Sequence, residues 1–265
     1  MSIFQALFLG LVQGLTEFIP ISSSGHLILA HHFFNINSGL TFDAATNIGT
    51  LAALMIYFRQ DIWMLAKAIF TKQKETRLAW LLVVATIPAV VAGVLLEKAA
   101  DSSFRSPRLV AINLAVVAVF MLLAEWYYKT HVKKPTELTE VSKTQAITMG
   151  IAQSAALVPG VSRSGSTIAA GLFLGMDRLA AMRFSFLLGI PIMLGGVGKK
   201  LLEPDFATQF HQQQTQYVVA IIMAFASGML AIRFMLGYLS KHSLNIFAYY
   251  RIGLAVLVLA ILAFR

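Results

Sequence analysis

Two short stretches hold nearly all the residues of this chain that could do chemistry. The first, QGLTEFIPISSSGH, runs from Gln13 to His26. Gln13 and Glu17 are four residues apart, so they share one face of a helix. Ser22, Ser23, Ser24, Gly25 and His26 follow just beyond Pro20. A hydroxyl nucleophile needs a base, and an imidazole held by a carboxylate is one standard arrangement. Glu17, Ser23 and His26 offer that set.

The second stretch, PGVSRSGST, runs from Pro159 to Thr167. After Pro159-Gly160, the residues Ser162–Thr167 open a helix. A helix start presents unpaired N–H groups and a positive dipole end, which attract an anion. Arg163 adds a planar guanidinium suited to phosphate oxygens. The hydroxyls of Ser162, Ser164, Ser166 and Thr167 can cap the helix or donate to the same anion. A plain capping turn with Arg163 paired to Glu17 accounts for the same residues, and both readings can hold together. Facing the first stretch, Arg163 balances charge on a transferring phosphoryl group.

The elements that carry these stretches are apolar. The chain has 265 residues, 58% hydrophobic and 12% charged, with mean hydropathy +0.74. Soluble domains carry about 25% charged residues, so this is an integral membrane protein. A bilayer span needs about 20 apolar residues. Leu78–Leu96, Leu109–Trp126, Leu179–Gly198, Tyr217–Leu239 and Ile246–Phe264 meet that need, and Phe42–Phe58 is a shorter sixth. Cysteine is absent, which excludes disulfides. The N-terminus has neither a basic region nor an A-x-A site, so no cleavable signal is expected. The net charge of +9 fits cytoplasmic loops and anionic lipid rather than nucleic acid.

An internal repeat organises the chain. At a constant offset of 140 residues, Gln5-Ala6 matches Gln145-Ala146, Gly10 matches Gly150 and Gln13 matches Gln153. Ser22, Ser24 and Gly25 match Ser162, Ser164 and Gly165, and Ala30, Phe33 and Gly49 match Ala170, Phe173 and Gly189. The chain thus reads as one membrane domain, residues 1–265, made of repeats 1–130 and 141–265. Each half opens with an apolar segment (Ile3–Ile19, Gln145–Val158), a Pro-containing polar loop, and a second stretch too short to span (His26–Phe34, Thr167–Gly175). Pro, Gly and several hydroxyls together end a helix rather than bend it, so these units are expected as re-entrant helix–loop–helix hairpins rather than kinked spans. Three spanning helices follow each hairpin, six in total. An odd number of crossings inverts the second half relative to the first, which brings two equivalent elements to the midplane.

The basic residues orient this all-α polytopic arrangement. Arg59, Lys67, Lys72, Lys74, Arg77, Lys129, Lys133, Lys134, Lys143, Arg178 and Lys241 gather on one face, and only Lys98, Arg105, Arg108, Lys199, Lys200 and Arg265 on the other. The richer face is cytoplasmic, which puts the first hairpin, both termini and the Glu97–Arg108 loop outside. Ionisable residues inside apolar segments are functional candidates by default, but several have plainer readings. Arg233 and Arg251 lie near helix ends and can snorkel to the headgroups. Glu125, beside Trp126, reads as interfacial. Arg183 and Asp43 occupy matching positions and read as a structural pair.

At these motifs the chain resembles the undecaprenyl-diphosphate phosphatases, the bacitracin-resistance family of bacterial inner-membrane enzymes. The resemblance rests on an (E/Q)xxxE stretch at Gln13–Glu17, PxSSxGH at Pro20–His26, and PGxSRSxxT at Pro159–Thr167, and it covers essentially the whole chain. It implies hydrolysis of undecaprenyl diphosphate to the monophosphate, recycling the carrier lipid for peptidoglycan synthesis. It also implies a Mg²⁺ or Ca²⁺ ion, a site open to the periplasm, and a homodimer. Carried over, Glu17 binds metal or orients the base, with Gln13 as a second metal ligand, and Arg163 holds the diphosphate. Ser23 and His26 are candidates for nucleophile and base. Ser22, Ser24, Gly25, Ser162, Ser164, Gly165 and Thr167 line the substrate pocket. Gln13 departs from a carboxylate, and an amide oxygen is a weaker ligand.

Two other mechanisms use similar parts. The phosphatidic-acid-type phosphatases place a histidine about six residues after such an arginine, and none follows Arg163 here. A transporter or flippase of an anionic lipid could use the same inverted-repeat site, but it needs no Ser–His–Glu set at one loop.

Overall fold

The helix breaks fall where the two polar stretches lie, and the caps on either side of them explain the matched residues of the two halves. In the computed structural model, which describes residues 1–36, 39–71, 75–101 and 104–264 and omits the side chains of 40 and 97–101, Ser2 caps α1 (Ile3–Phe18) in a reciprocal capping box with Gln5. Ser142 caps α7 (Lys143–Ala155) in the same way with Gln145. Each box satisfies two orphan donors of a helix start. Beyond the breaks, Ser22 caps α2 (Ser23–Phe34) and Ser162 caps α8 (Arg163–Phe173). Both serines lie in the left-handed region, with φ 77° and 73°, and each accepts the N–H of a glycine three residues on. The chain stops and restarts at both breaks, as the proline and glycine content requires.

The other helices are α3 (Gly39–Tyr57), α4 (Arg59–Thr71), α5 (Thr76–Asp101), α6 (Pro107–His131), α9 (Arg178–Leu201), α10 (Pro204–Gln212), α11 (Gln214–Leu239) and α12 (Asn245–Ala263). Among the described residues there is no strand, only an isolated bridge between Thr136 and Met176. Among the described residues five helices, α5, α6, α9, α11 and α12, are long and apolar enough to cross a membrane. The expected sixth, α3, has 19 residues and carries Asp43, Asn47 and three threonines; it is not among those five, which are counted among the described residues. The short helices α4 and α10 were not anticipated, since hydropathy reports only spans. Of the basic residues used for orientation, Lys72, Lys74, Arg265 and the side chain of Lys98 lie outside the described residues.

Packing is reciprocal between the halves. The opening helix of each half packs on the second long helix of the other, α1 on α11 and α7 on α5, and the closing helices α6 and α12 pack on each other. Small residues allow this closeness, as is usual for helices in lipid. A side chain at Gly10 would collide with the backbone of Ala220, and one at Gly150 with that of Ala85.

Buried charges fasten the bundle, and three differ from expectation. Glu125 is not interfacial: it is 1% exposed, grips Arg178 through both oxygens at 3.0 and 2.6 Å, and accepts the Leu244 N–H. Arg183 and Asp43 do not pair with each other. Arg183 meets Asp61 at 2.5 Å, while Asp43 meets His31 at 2.8 Å and Arg105 at 3.2 Å. Arg233 is exposed, as snorkelling predicts.

Arg251 does the opposite. It is 0% exposed and donates to five carbonyl oxygens: Asn113 and Leu114 of α6, Pro20 of the first loop, and Gly160 and Val161 of the second. Asn113 adds a bond to the Pro159 oxygen at 2.8 Å. Unwound backbone cannot be left unsatisfied in an apolar interior, and one guanidinium therefore serves both loops. Arg251→Met removes this donor from the loop oxygens of Pro20, Gly160 and Val161. The expected result is a loss of about 3 kcal/mol or more, read as a clear fall in the thermal midpoint of the detergent-solubilised protein. An unchanged midpoint would contradict this role.

Candidate active site

The two breaks meet, and the residues on either side form one polar floor. Glu17, on the last turn of α1, accepts the Ser23 hydroxyl at 2.5 Å and the Gln13 amide at 3.2 Å on one oxygen. Its other oxygen takes Arg163 Nη2 at 3.0 Å. Gln13 reaches its carboxylate across one helical turn, as four-residue spacing allows, and donates also to Asn47 of α3 at 2.8 Å. Arg163, the first residue of α8, lies along α9. Its Nη1 donates to the Ser185 oxygen at 3.3 Å, and a side chain at Gly189 would collide with the guanidinium. The ion pair is largely shielded, with the two side chains 11% and 12% exposed.

A cavity of about 650 Å³ opens above this floor. Gln13, Glu17, Ser22, Ser23, Ser24, Asn47, Ser162 and Arg163 reach it. Asp43, Arg105, Lys199, Lys200 and Glu203 add charges elsewhere along its lining, and the remaining wall is mostly apolar residues of α5 and α9. The space is concave and apolar with a few convergent polar groups, which is the usual make-up of a ligand site.

Several expected pocket residues turn inward instead. Gly25 and Gly165 give their N–H groups to the caps Ser22 and Ser162. Ser164 points at the Glu17 and Ile19 oxygens, each at 3.5 Å. Thr167 is 0% exposed and bonds the Arg163 oxygen at 2.7 Å and Ser185 Oγ at 2.6 Å. These residues shape the loop and do not line the cavity.

His26 is also elsewhere. Its Nδ1 sits 2.7 Å from the Ser22 oxygen and its Nε2 2.8 Å from the Tyr250 hydroxyl, with the two rings stacked. A carbonyl can only accept, so Nδ1 carries the proton and Nε2 accepts from Tyr250. The imidazole is therefore not wedged between Glu17 and Ser23. The carboxylate meets the hydroxyl directly. Asn47, Ser185 and Tyr250 are neighbours that sequence reasoning missed. Only Asn47 carries a signal, as an amide one turn after Asp43 in an otherwise apolar helix.

Among the described residues no three His, Asp or Glu side chains gather as a metal-binding group. Around Glu17 the oxygen donors are its own carboxylate, the Gln13 and Asn47 amides, and the Ser23 hydroxyl. A hard divalent cation is commonly held by one or two carboxylates together with substrate phosphates. The donor set fits such an ion in company with a diphosphate, not as a cage of protein ligands alone.

The chain is similar along its whole length to known proteins. Residues 6–257 match the family model described as bacitracin resistance protein BacA. A protein of Moorella thermoacetica named undecaprenyl-diphosphatase is 42% identical, with 100% of both chains covered. Proteins of the same name from Rubrobacter xylanophilus and Marinobacter nauticus are each 40% identical, covering 99% of this chain and 99% and 100% of their own. With that family model matched over residues 6–257 and relatives 40–42% identical over nearly the whole chain, the chain belongs to the bacitracin resistance protein BacA family.

Proposed function

We propose that the chain hydrolyses undecaprenyl diphosphate to undecaprenyl phosphate and inorganic phosphate, recycling the carrier lipid for peptidoglycan synthesis and so conferring bacitracin resistance. The observation that carries this reading is the single carboxylate of Glu17, bonded at once to the Ser23 hydroxyl and to Arg163. It joins a base, a nucleophile and a phosphate-binding cation on the floor of one cavity.

The chemistry follows from that arrangement. A diphosphate entering the cavity competes for Arg163, whose planar fork suits phosphate oxygens. As Arg163 turns to the distal phosphate, Glu17 loses its cation and becomes a stronger base for the Ser23 proton 2.5 Å away. Ser23 Oγ forms a bond to the distal phosphorus while the bridging P–O bond breaks, and its electron pair leaves with the lipid monophosphate. Water then cleaves the phosphoserine: its oxygen bonds to phosphorus as the Oγ–P bond breaks, Glu17 returns its proton to Ser23 Oγ, and the water protons leave with the inorganic phosphate. His26 holds the Ser22 carbonyl and so fixes the left-handed turn that presents Ser23. A divalent cation, Mg²⁺ or Ca²⁺, held by Glu17 and Gln13 with the diphosphate, would offset phosphate charge.

The matched caps and reciprocal packing support a single domain (1–265) of two inverted repeats (1–130 and 141–265), each a re-entrant hairpin followed by three spans, with α3 as the sixth. The excess of Lys and Arg on one face supports a bacterial inner-membrane protein whose cavity opens to the periplasm. A homodimer completes the proposal.

Purified protein in detergent should release phosphate from undecaprenyl diphosphate, and EDTA should abolish release until Mg²⁺ or Ca²⁺ is restored. Release unaffected by EDTA would remove the cation from the scheme. Ser23→Ala, Glu17→Gln and Arg163→Ala should each lower kcat about 10²- to 10⁴-fold in protein that still folds. Full activity of Ser23→Ala would overturn the nucleophile assignment. Gly189→Val, which displaces the guanidinium without touching it chemically, should lower activity in the same direction as Arg163→Ala.

A further inference from the structure

The floor holds phosphate on one cation, Arg163, which has to return to Glu17 after each turnover. Inorganic phosphate must therefore leave as an anion through a cavity whose wall is mostly apolar. An anion without a partner in such surroundings is costly. The rest of that lining carries a second set of charges that the proposed chemistry does not use: Asp43, Arg105, Lys199, Lys200 and Glu203.

These charges lie away from the floor. Arg163 Nη2 reaches Met193 Sδ at 3.6 Å, and Lys199 and Lys200 follow six and seven residues later on α9, about 10 Å further along the helix. Lys200 meets Glu203 at 2.5 Å. Asp43, one turn before Asn47 on α3, shares its two oxygens between two cations, His31 Nε2 at 2.8 Å and Arg105 Nη2 at 3.2 Å. His31 Nδ1 faces the Ile36 carbonyl oxygen at 2.9 Å. A carbonyl only accepts, so Nδ1 carries a proton, and Nε2 needs another to bond a carboxylate that Arg105 keeps ionised. The three side chains are thus an imidazolium, a carboxylate and a guanidinium, with one positive charge in excess. The Arg105 side chain is 29% exposed against 11% for Arg163, so an anion in the cavity can reach it.

We propose that Arg105, with Lys199 and Lys200 on the same lining, forms a second phosphate-binding station, which receives inorganic phosphate from the catalytic floor and delivers it to water. The proposal rests on the diphosphatase reading above and adds a product subsite to it. Phosphate bound there takes Arg105 from Asp43, while His31 keeps the carboxylate paired, so no charge is left without a partner. The planar fork of Arg105 matches phosphate oxygens as it matches a carboxylate, and the lysines add point charges. Partial exposure makes the station a place of exchange, since water and salt screen each contact. An arriving diphosphate carries the same chemistry, and the test separates arrival from release.

The test titrates inorganic phosphate, by calorimetry at fixed ionic strength, into a Glu17→Gln, Arg163→Gln double variant whose floor has lost both charges. Phosphate should still bind, and adding Arg105→Gln should weaken it about tenfold or more, as loss of a charge-assisted contact predicts. Asp43 keeps His31 in that variant, so the thermal midpoint should hold, and Arg105→Lys should restore part of the binding. In the otherwise unaltered protein, Arg105→Gln should raise the inhibition constant of inorganic phosphate by a similar factor, with a smaller change in KM for undecaprenyl diphosphate. No phosphate binding by the double variant, or binding indifferent to Arg105, would overturn the station. A raised KM with an unchanged inhibition constant would overturn its role in release in favour of substrate arrival. Arg105-dependent phosphate binding in a wild type that releases no phosphate from undecaprenyl diphosphate would sink the diphosphatase reading and leave the station standing as a phosphate site.

Discussion

Everything at the catalytic floor depends on how an apolar interior tolerates two unwound loops. Backbone oxygens left open there are costly, and Arg251 removes that cost by donating to Pro20, Gly160 and Val161 while anchored on the α6 oxygens of Asn113 and Leu114. Because the guanidinium is rigid, satisfying both loops also fixes their separation. Gly160 completes the fit: at φ +92° it lies so close to α6 that a side chain would strike the Val110 oxygen. The 3.0 Å contact of Glu17 with Arg163 is thus set by a residue that touches neither.

The repeat supplies a scaffold, and divergence between its halves supplies the chemistry. The caps Ser22 and Ser162 are equivalent in sequence and in conformation. At the next position the halves differ, with Ser23 in the first and Arg163 in the second. Glu17 corresponds to Leu157, and His26 to Ser166. Two copies of one loop, brought face to face, therefore present a hydroxyl bonded to a carboxylate on one side and a guanidinium on the other. The proposed catalytic set differs from a plain repeat by only a few side chains on a duplicated frame.

Much of this was legible in the residues. Pro-Gly and serine clusters marked where helices end, the 140-residue offset marked the two loops as equivalents, and Arg163 meets Glu17 as the plainer of its two readings held. Other features were hidden for physical reasons. A lone arginine two turns into an apolar helix reads the same whether it snorkels or is buried, so Arg251 was misplaced. Its acceptors are backbone oxygens, which carry no sequence signal. Glu125 looked interfacial beside Trp126 because its partner Arg178 is 53 positions away. His26 looked like a base because nothing in its neighbourhood announces Tyr250, which approaches from 224 residues further along.

The central claim is that a diphosphate takes Arg163 from Glu17 and leaves the carboxylate to the Ser23 hydroxyl. A structure with a non-hydrolysable undecaprenyl diphosphate analogue tests it most directly. The account predicts the Arg163 guanidinium on the distal phosphate, Glu17 still within hydrogen-bond distance of Ser23 Oγ, and that oxygen in line with the distal phosphorus and the bridging oxygen. Arg163 still paired with Glu17, with the distal phosphate turned away from Ser23, would contradict it.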